Sequence, residues 1–230
     1  MNHSILRKTK QAFTLVEVLI STSLFAAVVG GAALFLAQSG KAAFIAQEKL
    51  DINSDIRELT NELITLGRGA DRFYVYSSYT SSVYAATTNE DGDTVYGAER
   101  LGDGQTGDLL LLVYEDSATV STDGYPITDI VGIYRVPGDD NGAGPVKMFK
   151  VEGVTGSDAY LKPEQLIPNV SDITRHNQMI EFAEGRANGD LFYNFKDASV
   201  MINAKIIHGN IAKEITDTYN MTIKPRGGMN

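Results

Sequence analysis

Glu17 is the residue whose type and place most need a chemical explanation. It stands in QAFTLVEVLISTSLF, residues 11–25, just ahead of a run with no charge at all from Val18 to Gly40. On insertion scales an acidic side chain at a bilayer centre costs roughly 2.5–3.5 kcal/mol, and less near a helix end. A carboxylate in the first turn of a helix is favoured by the dipole by only ~0.3–1 kcal/mol. What remains is relieved when the carboxylate meets a positive partner.

Other residues suggest chemistry more weakly. Asp91, Asp93, Asp139 and Asp140 lie in acidic, Gly-rich loops and are oxygen donors of the kind calcium takes. Calcium wants about 6–8 oxygens, and the spacing does not follow the EF-hand template, so a solvated loop explains them as well. Gly102, Gly104 and Gly107 in GDGQTG have the spacing of a dinucleotide fingerprint. That motif needs a strand before it and a helix after it. Here an acidic loop precedes and a strand-like run follows, which reads as a plain loop. His3, His176 and His208 stand in no metal-ligand spacing, and neither a nucleophile elbow nor a phosphate-binding loop occurs. There are no cysteines, which excludes disulfides, thiol catalysis and Cys-ligated zinc. The 11 tyrosines fall largely in strand-like runs, where packing accounts for them. The expectation is a protein that is not an enzyme.

The elements that would carry these residues follow from charge and periodicity. The 230-residue chain is 43% hydrophobic and 21% charged, ordinary for a packed domain. Its net charge of -9 argues against a nucleic-acid partner. Residues 1–12 carry Arg7, Lys8 and Lys10 and no acid. The uncharged stretch behind them is long enough, at ~1.5 Å per residue, to cross a ~30 Å hydrocarbon core. The basic flank places the N-terminus in the cytoplasm and exports the rest. A secretory signal or a plain anchor would share these features, but neither accounts for Glu17.

Further on, Ile52, Ile56, Leu59, Leu63 and Leu66 form one helical stripe, with Asp55, Arg57, Glu58 and Glu62 on the other faces. Gly67 and Gly69 are the expected stops. The pattern predicts one helix from about Phe13 to Leu66, roughly 80 Å long. Gly30 and Gly31 interrupt its apolar half at a cost of ~2 kcal/mol relative to alanines. They suit either a close helix–helix contact or a point of local flexibility. Beyond residue 70 strand-like runs cover 72–79, 108–116, 129–136, 146–153, 178–185, 190–197, 198–209 and 213–225, the last two joined by a turn at Gly209-Asn210. A long helix followed by antiparallel strands is an α+β plan.

AFTLVEVLI, behind a short basic leader, resembles the prepilin motif of type IV pilins and type II secretion pseudopilins. The resemblance covers about 30 residues at the N-terminus. It implies a leader at 1–12, cleavage between Ala12 and Phe13 by prepilin peptidase, and N-methylation of Phe13. Glycine is commoner than Ala12 before the cut. Residues 13–40 would be the transmembrane and filament-core half of the helix, 41–69 the amphipathic half, and 70–230 a β-rich head whose antiparallel sheet packs on that second half. Glu17 becomes the fifth residue of the mature chain. By resemblance it pairs with the Phe13 amine of a neighbouring subunit; self-capping by its own amine is the simpler alternative. The implied partners are other pilin subunits, the peptidase, and an assembly platform with its ATPase. The implied location is the inner membrane, crossed once, then a periplasmic or extracellular filament.

No cofactor is implied, although some pseudopilins bind calcium near the sheet, which keeps Asp91, Asp93, Asp139 and Asp140 as candidates. Size and the lack of cysteine resemble the larger J-type pseudopilins and W-type minor pilins. A membrane-anchored surface module for adhesion or DNA uptake is the alternative from another class.

Overall fold

The computed structural model describes residues 14–79, 86–88, 94–96, 100–119, 121–122, 124–136, 144–169, 180–181, 186–189, 191–208 and 215–226. The chain divides into two compact units, Met1–Gln47 and Glu48–Asn230. Helix α1 spans Leu15–Gly69. In the first unit its side chains are almost all exposed, including Leu24, Phe25, Phe35 and Leu36. It is one helix long and apolar enough to cross a membrane. Thr22 and Ser23 do not spoil this. Their hydroxyls donate to the carbonyls of Val18 and Leu19, so no hydroxyl proton needs water.

In the second unit the helical stripe is buried as its spacing predicts. Ile52, Leu59 and Leu63 are inaccessible, and Ile56 and Leu66 pack at the margin. Asp55 departs from the expectation and is itself buried, because its steps of three and four from Ile52 and Leu59 put it on the same face. The helix runs past Leu66 and ends at Gly69, the second of the expected stops. Gly67 lies within α1, and a Cβ there would come to 3.2 Å of Ile223 Cδ1, so the missing side chain lets a strand pack close.

Each strand-like run contains a strand among the described residues. The strands are β1 (Arg72–Tyr76), β2 (Ala86–Thr88), β3 (Thr94–Tyr96), β4 (Thr106–Gly107), β5 (Leu109–Glu115), β6 (Ile127–Arg135) and β7 (Val146–Val151). Of these, β2, β3 and β4 lie where a loop was expected. A 3-10 turn (Gly156–Tyr160) and the short helix α2 (Pro163–Leu166) follow. Then come β8 (Ile180–Glu181), β9 (Arg186–Asn188), β10 (Phe192–Phe195), β11 (Ser199–His208) and β12 (Ile215–Ile223). Among the described residues the head is antiparallel, as expected, with its strands in two larger sheets and a hairpin. The first sheet runs β1-β5-β6-β7-β8, the second β12-β11-β10-β4 with β9 also on β11, and β2 pairs with β3. β11 and β12 pair from Val200↔Ile223 to His208↔Ile215, the hairpin expected there; its turn at Gly209-Asn210 lies outside the described residues.

The chain crosses between the two larger sheets at Asp108. Residues on one side pair with β10, and those on the other with β1 and β6. Asp108 holds this joint. Its carboxylate accepts from Leu191 N–H at 3.2 Å and from the Arg135 guanidinium, and its N–H donates to Ser77 O at 3.0 Å.

Alternate residues of the first sheet serve two cores. Phe73, Val75, Leu110 and Leu112 join α1 and the inner faces of β11 and β12. Tyr74, Tyr76, Leu109, Leu111 and Val113 face the other way, under Leu166 and Ile167. Burial on both faces is why β5 reads as a continuous apolar run.

The segment covering that second face is tied down by Glu164, a buried carboxylate. It accepts from Tyr76 OH at 2.6 Å and from Arg100 Nε at 2.6 Å and Nη2 at 3.1 Å. The guanidinium also lies 3.8 Å over the Tyr74 ring. Burial pushes the Glu164 carboxyl up, but the hydrogen bonds from Arg100 and Tyr76 outweigh it and hold the group below its usual range. A depressed folded value means the stabilisation is present above the unfolded value and is lost as pH falls through the folded one. Glu164→Gln therefore lowers stability at neutral pH by about 1–3 kcal/mol, discounted for the half-open Arg100. The gap to wild type closes as pH drops below the ordinary carboxylate range. Urea denaturation across pH checks this, and a gap that stays constant down to acid pH would contradict the assignment.

Candidate functional site

The site lies at the start of α1. Thr14 caps the helix and Glu17 is three residues on. The Thr14 N–H and hydroxyl both donate to Glu17 Oε2, at 2.9 and 3.0 Å, and Glu17 N–H lies 3.3 Å from Thr14 Oγ1. This reciprocal arrangement is a capping box, and it satisfies two of the N-terminal donors that a helix leaves unpaired. The signal was present in the sequence as T-x-x-E before an apolar run, and the reading of Glu17 as a charge awaiting an amine passed over it. The box uses one carboxylate oxygen as acceptor. Oε1 has no hydrogen-bond partner among the described residues.

Gly30 and Gly31 are both helical, and α1 is continuous through them. A Cβ at either position would meet nothing within 4 Å. Among the described residues neither a tight contact nor a break is present there. Ala12 and Phe13 lie outside the described residues, as do Asp91, Asp93, Asp139, Asp140, His3 and His176. His208 ends β11. Among the described residues no group of three or more His, Cys, Asp or Glu is placed to hold a metal ion.

GDGQTG is a tied turn rather than a phosphate cradle. Gly102 N–H donates to Gln105 Oε1 at 2.6 Å, and Gly104 N–H to Asn194 O at 2.9 Å. Gly104 has φ 81, which glycine adopts without strain. Asp103 accepts from Lys196 N–H at 2.6 Å. Lys196 and Asp197, at φ 55 and 52, form the left-handed turn between β10 and β11. Buried Asn194 joins the two turns through Leu101 O at 3.0 Å and Asp197 Oδ1 at 2.7 Å. These amides are committed within the protein, so they offer a phosphate no nest.

The structure thus has a capped apolar helix followed by an antiparallel β head. Residues 7–33 match the prokaryotic N-terminal methylation motif, the signature of type IV pilin and pseudopilin precursors. The match covers the N-terminal segment of the chain; it supports processing by prepilin peptidase and implies assembly with other pilin subunits. Neither a curated protein nor a solved structure matches the chain.

Proposed function

We propose that the protein is a structural subunit of a type IV filament, of the larger pseudopilin or minor-pilin kind. It is made as an inner-membrane precursor with its N-terminus in the cytoplasm. Peptidase cuts between Ala12 and Phe13, and the new Phe13 amine is methylated. An assembly ATPase acting through a platform protein then moves the subunit into the filament. There, contacts between apolar helices replace contacts with lipid. The observation that carries this reading is the methylation motif at 7–33 running directly into a helix whose apolar side chains are exposed among the described residues. Such a surface needs lipid or neighbouring copies.

Glu17 is the registration point of this assembly. Its Oε2 stays with Thr14, and Oε1 receives the Phe13 ammonium of the adjacent subunit. Gly30 and Gly31 then serve as the point where the helix stretches on entering the filament. The head's size and the lack of cysteine favour the pseudopilin and minor-pilin subgroup over disulfide-closed major pilins.

Mass spectrometry of the chain expressed with a prepilin peptidase tests the first step. The expected product begins at Phe13 and is one methyl group heavier than the bare peptide. An intact Met1, or a cut after residue 37, overturns the proposal.

A further inference from the structure

The second sheet ends on β12, and no strand pairs its far edge among the described residues. The direction of its backbone groups can be read from two separate hydrogen bonds. Thr218 N–H is taken by the Asp217 carboxylate at 2.8 Å, not by β11. Asn203, opposite Asn220, gives its N–H to Leu191 O at 3.0 Å, on the side away from β12. Both bonds make Lys205↔Thr218 and Asn203↔Asn220 non-hydrogen-bonded pairs of the β11–β12 ladder. With the period of two, Thr218, Asn220 and Thr222 all turn their N–H and C=O groups to the open edge.

A groove of about 310 Å³ runs beside that edge, lined by Ile64, Arg68, Met221, Thr222, Ile223 and Lys224. Its floor is apolar. Its charges are two cations and no acid, in a chain of net charge -9. Arg68 and Lys224 form no ion pair among the described residues. A free edge is a template for strand addition, with main-chain bonds supplying affinity and alternate side chains supplying selectivity.

We propose that the β12 edge binds an extended acidic segment of another polypeptide as an added strand. Asn220 and Thr222 supply its main-chain partners. Ile64 and Met221 take its apolar side chains over a floor formed by buried Ile223, and Arg68 and Lys224 take its carboxylates. Complementary charge selects an acidic strand and rejects a basic one. This site does not depend on the filament reading, since it uses only the head and would survive failure of leader processing.

The test uses the full chain in detergent micelles and a fluorescent nonapeptide of alternating valine and glutamate. A valine–lysine peptide of the same length is the control. Anisotropy should show saturable binding of the glutamate peptide, with the lysine peptide about tenfold or more weaker. Asn220→Pro removes an edge N–H that the ladder does not use. It should abolish binding while thermal unfolding stays close to wild type. Should that variant fail to fold, Arg68→Glu with Lys224→Glu decides the matter, because it should reverse the preference between the two peptides. Equal binding of both peptides overturns the proposal. So does unchanged binding in a folded Asn220→Pro protein, or a double charge reversal without effect.

Discussion

On the proposed function, Glu17→Gln is expected to assemble as poorly as Glu17→Val, with both variants inserted in the membrane and processed normally. This outcome separates the two roles the geometry offers. Glutamine still accepts from Thr14 at the third helical position, so the capping box survives. It carries no charge, so it forms no ion pair with an ammonium. Removing one partner of an ion pair in a low-dielectric environment costs about 3–5 kcal/mol, on the order of 10²–10⁴-fold in association. Thr14→Ala is the mirror experiment: it removes the cap at a cost of ~0.5–2 kcal/mol and leaves the charge. It should reduce helix stability but permit filaments. The readout is the fraction of subunit recovered in sheared filaments, with membrane content measured separately. Normal assembly of Glu17→Gln would mean that the carboxylate caps its own helix and does no more.

Gly107→Ala should be the most damaging single-atom-scale change in the head. A Cβ there would stand 2.1 Å from the carbonyl oxygen of Tyr76 and 2.7 Å from Leu101 Cδ1. The oxygen belongs to β1, an element fixed between two cores, and backbone cannot swing aside as a side chain tip does. Overpacking of this kind costs about 3 kcal/mol or more. For a chain of this size that is on the order of 6–12 °C in Tm. Gly153→Ala is the comparison. Gly153 has φ 68 with open space around it, so alanine there meets only the left-handed backbone penalty of ~1–2 kcal/mol. Thermal melts of the full chain in detergent measure both, and equal losses would remove the close-approach explanation. Gly107 is thus the glycine of GDGQTG with a strict requirement, and the requirement is steric.

Much of this protein is legible from local pattern, because local pattern reflects how much of each element meets water. The charge-free run up to Gly40, the stripe from Ile52 to Leu66 and the strand-like runs all became the elements their periods imply. The prepilin motif is likewise a property of contiguous residues. Glu17 was visible as a misfit, and its cap was encoded three residues away in Thr14.

What only the tertiary structure decided involves residues far apart in the chain. Glu164 looks like any solvated acid until Arg100 and Tyr76 arrive from other elements to bury and pair it. Asp108 looks like a strand-end carboxylate, yet it marks the joint between two sheets because Arg135 and Leu191 converge on it. Gly67 looks like a helix stop, and the packing of Ile223 turns it into a helix interior. The free edge of β12 exists only once the pairing order is set. Periodicity records whether a side chain faces water; it carries no information on which distant group stands opposite.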